Sequence, residues 1–224
     1  MLRINEYSDF ASLSHELANK WLALVTSTPA NQPCSFALAG GSTPAPLYRQ
    51  FDSLFAAAKP RSIQLIATDE RWVPDADPQS NEGLFRNCFS ESAALWKLVS
   101  LKNELSDPAS AAPYIHTRLQ EQCDHTFSAV ILGMGTDGHI ASLFPDAPQL
   151  LIADDAVNCV AALHPQTQQA RMSLSFSRLL ATQSIWLVIT GAEKRAVLEN
   201  SSAPSPVNAL LAAARCDVEV FWCP

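Results

Sequence analysis

Apolar residues recur along this chain in two rhythms. Phe10, Leu13, Leu17, Trp21 and Leu24 fall at steps of three and four, which predicts an amphipathic helix with Ser8 as its N-cap and Thr28–Pro33 as its end. Short apolar-rich stretches predict strands instead: Ser35–Ala39, Ile63–Ala67, Phe127–Leu132, Val157–Leu163, Met172–Phe176, Ile185–Thr190 and Val218–Trp222. Leu47, Phe51, Leu54 and Ala58 continue a second helix, with Pro44 in its first turn and Ser42 or Thr43 as its cap. Further helices are predicted over residues 81–89, 109–122 and 193–200. Strands alternating with helices predict an α/β fold with a largely parallel sheet. No repeat or break in composition divides residues 1–224, so a single domain is expected.

Three polar loops follow apolar runs, and the carboxyl edge of a parallel sheet is where such folds bind ligands. Gly133-Met134-Gly135-Thr136-Asp137-Gly138-His139 brings a carboxylate and an imidazole within two positions. An imidazole titrates near neutrality and suits proton transfer, and Asp137 is placed to orient the ring or to stabilise its charged form. His15, His116, His125 and His164 lie in no glycine-flanked loop and are read as structural. Gly40-Gly41-Ser42-Thr43 joins a strand to a helix. Its glycines and free amides suit an anion, although an ordinary capped turn has the same composition. It has neither the Gly-Lys-Ser/Thr ending of a P-loop nor G-x-G-x-x-G spacing, which disfavours a nucleotide.

Asp69-Glu70-Arg71 ends another strand. Such a run is either solvated surface or a functional split, a carboxylate aimed at reacting atoms and a guanidinium at an anion. Arg171 opens a strand and Lys194 opens a helix. A cation at a helix N-terminus opposes the macrodipole unless an anion binds there; a solvated side chain is the other reading.

The formal charge of −7 argues against a nucleic-acid partner but leaves room for a small anion met by local cations. No apolar stretch approaches a membrane span and the N-terminus has no apolar leader. Six cysteines without a Cys-x-x-Cys pair read as buried reduced thiols, which places the chain in the cytoplasm. No third ligand stands near Asp137 and His139 for a metal, and no cofactor is expected.

Taken together, LAGGSTPAPLY at 38–48, DERWVPDADPQSNEGLFR at 69–86 and ILGMGTDGHIASLFPD at 131–146, with RMSLSF at 171–176 and VITGAEKRAVL at 188–198, resemble the 6-phosphogluconolactonase family. It belongs to a wider sugar-phosphate superfamily that includes glucosamine-6-phosphate deaminase. The resemblance implies a Rossmann-like parallel sheet with helices on both faces. It also implies that His139 is the catalytic histidine, that Gly40, Gly41, Ser42 and Thr43 form a phosphate loop, and that Arg171 and Lys194 hold the substrate phosphate. Arg71 matches another substrate-contacting arginine, and Asp69 the acid that deaminases use for proton transfer.

Deaminases of the superfamily resemble Asp-Gly-His-Ile-Ala-Phe-Asn-Glu-Pro, with a glutamate supporting the histidine. Phe144 stands at that position here, which leaves the Asp-His-Glu relay incomplete. Trp72-Val73-Pro74 also resembles the lactonase branch. The chain departs from that branch at Ile140, where threonine is common, at Asp146, where many have glycine, and in its C-terminal tail. The expected reaction is hydrolysis of 6-phospho-D-glucono-1,5-lactone, with His139 taking a proton from water. The alternatives are an amino-sugar-phosphate deaminase or isomerase using Asp69 as carbon base, and a catalytically silent sensor, for which the first helix near Ser8 leaves no room for an added DNA-binding unit. The partner implied is a small sugar-phosphate lactone; the oligomeric state stays open between monomer and homodimer.

Overall fold

The computed structural model describes residues 2–147, 151, 156–200 and 204–224. Seven strands form one parallel sheet: β1 (Leu2–Glu6), β2 (Ser35–Leu38), β3 (Ile63–Ala67), β5 (Trp96–Leu98), β6 (Ala129–Leu132), β9 (Ser184–Thr190) and β10 (Asp217–Cys223). Their order is β1-β10-β9-β6-β2-β3-β5. The central strands β2 and β6 are buried at every position, as a sheet covered on both faces requires, which is why they read as unbroken apolar runs rather than alternating ones. The sheet lies between helices α1 (Phe10–Ser27), α2 (Ala45–Ala58), α3 (Asn81–Cys88), α4 (Pro108–Cys123), α5 (Phe176–Leu180), α6 (Ala192–Glu199) and α7 (Pro206–Ala213). A small antiparallel sheet, β4 (Asp69–Arg71), β8 (Ala170–Leu174) and β7 (Cys159–Leu163), stands beside it.

From β2 the chain runs outward to β3 and β5, whereas β6 leads the other way to β9, β10 and β1. The loops after β2 and β6 therefore diverge and leave a crevice between them, the topological switch point at which open α/β sheets bind ligands.

Trp21 of α1 stacks on Phe51 of α2 with ring centroids 3.7 Å apart, and both are fully buried. Each such ring contributes roughly 1.5–3 kcal/mol through apolar burial. All six cysteines are unbridged, five of them buried, in accord with reduced thiols. Among the described residues no helix is long and apolar enough to cross a membrane.

Several boundaries differ from the sequence-based expectations. The cap of α1 is Asp9, whose carboxylate accepts the Ser12 N–H at 2.8 Å; Ser8 donates to Asp9 instead. A carboxylate one residue nearer the helix reaches the free amide that Ser8 cannot. At α2 neither Ser42 nor Thr43 caps: Pro44 is the N-cap residue and no side chain bonds the first turn, which leaves amides of the 40–45 loop without a side-chain partner. The strand expected at Met172–Phe176 ends at Leu174, and Phe176 opens α5, capped by Ser175. Asp69–Arg71 is not a loop but β4, paired with β8.

Candidate active site

A cavity of about 270 Å³ opens at the switch point. Gly40 and Thr43 reach it from the loop after β2, Asp69 and Arg71 from β4, His139 from the loop after β6, Arg171 from β8 and Lys194 from α6. Gly41 and Ser42 lie in the same loop as Gly40 without lining the cavity, and Asp137 meets it through His139.

The loop after β6 is built to hold one ring. Gly138 donates to the Gly135 carbonyl at 3.0 Å, and Gly135 donates to the His139 carbonyl at 2.9 Å, so the chain turns back on itself. His139 Nδ1 then donates to Asp137 Oδ1 at 2.6 Å, and the same oxygen accepts the His139 backbone N–H at 3.1 Å. A Cβ on Gly135 would lie 2.2 Å from His139 Nδ1, so only glycine lets the ring fold over the backbone here. Gly138 has φ +80°, and its carbonyl accepts the Val207 N–H of α7 at 3.0 Å, which ties the loop to that helix. Burial pushes the Asp137 carboxyl up. The His139 N–H and the neighbouring imidazole outweigh that and hold it below the ordinary carboxylate range. A ring that donates through Nδ1 keeps the Nε2 lone pair free to accept a proton. The Phe144 ring packs 5.0 Å from the imidazole, where the deaminases carry glutamate.

Antiparallel pairing places Arg71 directly opposite Arg171, and alternation puts Asp69 on the same face as Arg71 with Glu70 on the other. Like charges opposite one another are unfavourable, and the cost is met by Asp69, whose Oδ2 lies 3.5 Å from Arg171 Nη1. That carboxylate also accepts the Ser142 hydroxyl at 2.6 Å, while the Asn81 amide donates to the Asp69 carbonyl at 2.6 Å. Burial draws the Arg171 pKa below that of a free guanidinium, and Asp69 offsets part of the effect. Arg71 Nη1 donates to the Gln79 carbonyl at 2.7 Å.

The acidic run is thus divided, and neither carboxylate is a solvated surface charge. Asp69 faces the cavity, whereas Glu70 is fully buried and accepts the N–H groups of Asn81 and Glu82 at 2.9 and 2.6 Å, closing the N-terminus of α3. Burial pushes the Glu70 carboxyl up against the pull of those donors. Lys194 lies in the first turn of α6, lines the cavity and makes no ion pair among the described residues.

Sequence reasoning missed several neighbours. Asn81 packs so closely that a Cβ on Gly40 would meet its Oδ1 at 1.8 Å, which explains a glycine at that position. Its place just after a serine cap and two positions before Gly83 was the only local signal. Ser142 has none beyond its nearness to His139. His164, assigned a structural part, packs its ring 5.3 Å from Phe144 at the edge of the site. Among the described residues no group of three or more His, Cys, Asp or Glu is placed to hold a metal ion.

A family model described as glucosamine-6-phosphate isomerases/6-phosphogluconolactonase matches residues 8–222. A 6-phosphogluconolactonase of Caulobacter vibrioides is 35% identical over 208 residues, covering 89% of this chain and 88% of that protein. One of Mesorhizobium japonicum is 32% identical over 228 residues, covering 98% and 94%. The crystal structure of a 6-phosphogluconolactonase from Shewanella baltica superposes with a TM-score of 0.88 at 26% identity, covering 100% of this chain and 98% of the other. The fold agrees with these matches, and the chain belongs to the glucosamine-6-phosphate isomerase/6-phosphogluconolactonase family.

Proposed function

We infer that this chain is a 6-phosphogluconolactonase, a hydrolase that adds water to 6-phospho-D-glucono-1,5-lactone and releases 6-phospho-D-gluconate in the oxidative pentose phosphate pathway. One observation carries the mechanism: an imidazole fixed through Nδ1 by Asp137 shares a cavity with Arg71, Arg171 and Lys194. Nε2 of His139 takes a proton from water as its oxygen attacks the lactone carbonyl carbon. The tetrahedral intermediate collapses with cleavage of the bond to the ring oxygen, which receives that proton from His139. Positioned proton transfer of this kind supplies on the order of 10²–10⁴ in rate. Arg71 and the amides of the glycine loops are the donors available to the developing oxyanion.

Arg171 and Lys194, with Gly40 and Thr43 of the loop after β2, hold the phosphate. Binding free energy from that remote group fixes the lactone beside the water. Asp69 serves Arg171 rather than proton transfer, because its carboxylate is already engaged by the guanidinium and by Ser142. The single domain works in the cytoplasm, a compartment consistent with six free thiols.

The test is hydrolysis of freshly generated lactone, with the spontaneous reaction subtracted, beside an assay for ammonia from glucosamine 6-phosphate. Acceleration of the first and none of the second is expected. Ammonia release without lactone hydrolysis would move the chain to the deaminase branch.

A further inference from the structure

Arg71 and Arg171 stand opposite each other on β4 and β8 and repel, yet Asp69 pairs with only one of them. What spans the other side is not a charge. Arg171 Nη2 donates to Gln169 Oε1 at 3.2 Å, and the Gln169 amide nitrogen donates to Gln79 Oε1. The Gln79 carbonyl accepts from Arg71 Nη1 at 2.7 Å. Two glutamines, one on the β7–β8 hairpin and one on the loop before α3, thus link the two guanidinium groups from outside the cavity.

We propose that Gln169 and Gln79 are positioning residues for the substrate's phosphoryl group: a neutral amide relay that braces Arg171 against the segment whose main-chain carbonyl holds Arg71, without cancelling the Arg171 charge. The inference rests on the lactonase reading and deepens it. An amide orients a guanidinium through a hydrogen bond and leaves its positive field intact for a dianion. A carboxylate of the same shape would bond the same nitrogen and neutralise it. Long polar side chains at a site rim carry rotamer entropy, and each amide here is held by the next, so that cost is met before the substrate arrives.

The decisive variant is Gln169→Glu, isosteric and half-buried at the rim, so that thermal stability stays close to wild type. Its KM for 6-phosphogluconolactone should rise at least tenfold with kcat within about twofold, whereas Gln169→Ala should raise KM only a few-fold. Because the relay acts as one unit, the Gln79→Ala, Gln169→Ala double variant should be no worse than the more affected single variant. A KM for Gln169→Glu within twofold of wild type, a fall in kcat with KM unmoved, or additive effects of the two alanines would each overturn the relay. A wild type that hydrolyses the lactone no faster than water overturns the lactonase reading itself, which keeps the two failures apart.

Discussion

Gly135 tests whether the His139–Asp137 geometry drives the chemistry. A Cβ there would lie 2.2 Å from His139 Nδ1, 2.3 Å from its Cε1 and 2.5 Å from Asp137 Oδ1. Ordinary contact begins at 3.4 Å, so in Gly135→Ala the ring must retreat by about 1.2 Å or rotate off its carboxylate. The φ of Gly135 is not positive, so alanine brings this collision without backbone strain. Overpacking of this size costs typically 1–3 kcal/mol of stability, which a folded domain tolerates. A displacement near 1 Å costs on the order of 10²-fold in rate when it moves a reacting group. The expected outcome is a kcat reduced about 100-fold, with KM within about threefold because Arg171 and Lys194 are untouched. Steady-state kinetics on fresh lactone, alongside a melting curve, read both. Adding Gly135→Ala to His139→Ala should cost nothing more, since the substitution acts only through the ring. A folded Gly135→Ala enzyme with wild-type kcat would refute the reasoning.

Asp137→Asn should lower kcat by 10²- to 10⁴-fold, because an amide no longer fixes the Nδ1–H tautomer. The folded Asp137 carboxyl lies below its ordinary value of 3.8, so its stabilising contribution is present above that pH and is lost as pH falls through the lower, folded value. Thermal melts of wild type and Asp137→Asn should therefore differ most above pH 4 and converge in more acidic buffer. Trp21→Ala, which removes a fully buried ring stacked on Phe51, should cost about 3–5 kcal/mol in urea unfolding. It lies in the packing between α1 and α2, so the specific activity of the folded fraction should stay at wild-type level.

The central strands were legible because burial on both faces demands continuous apolar runs, and each candidate loop was found by following one of those runs to its end. The edges were not. β1 has four of its five residues exposed and carries no continuous apolar run, β5 is only three residues long, and neither these strands nor α7 were predicted. Met172 to Phe176 alternates like a strand, yet Ser175 caps a helix, and nothing local separates the two outcomes. In the site, His139, Arg71, Arg171 and Lys194 stood out because charge is scarce and each sits at an element's end. Asn81, Ser142 and the two glutamines did not, because their partners lie 12, 73 and 90 positions away and a neutral side chain has no local signature.

The most direct measurement is the hydrolysis rate of fresh 6-phosphogluconolactone by His139→Ala against wild type, with the uncatalysed reaction subtracted and product inhibition measured in parallel. The rate should fall by on the order of 10²–10⁴ while 6-phosphogluconate still inhibits at wild-type concentrations. Hydrolysis at the wild-type rate would show that some other group moves the proton.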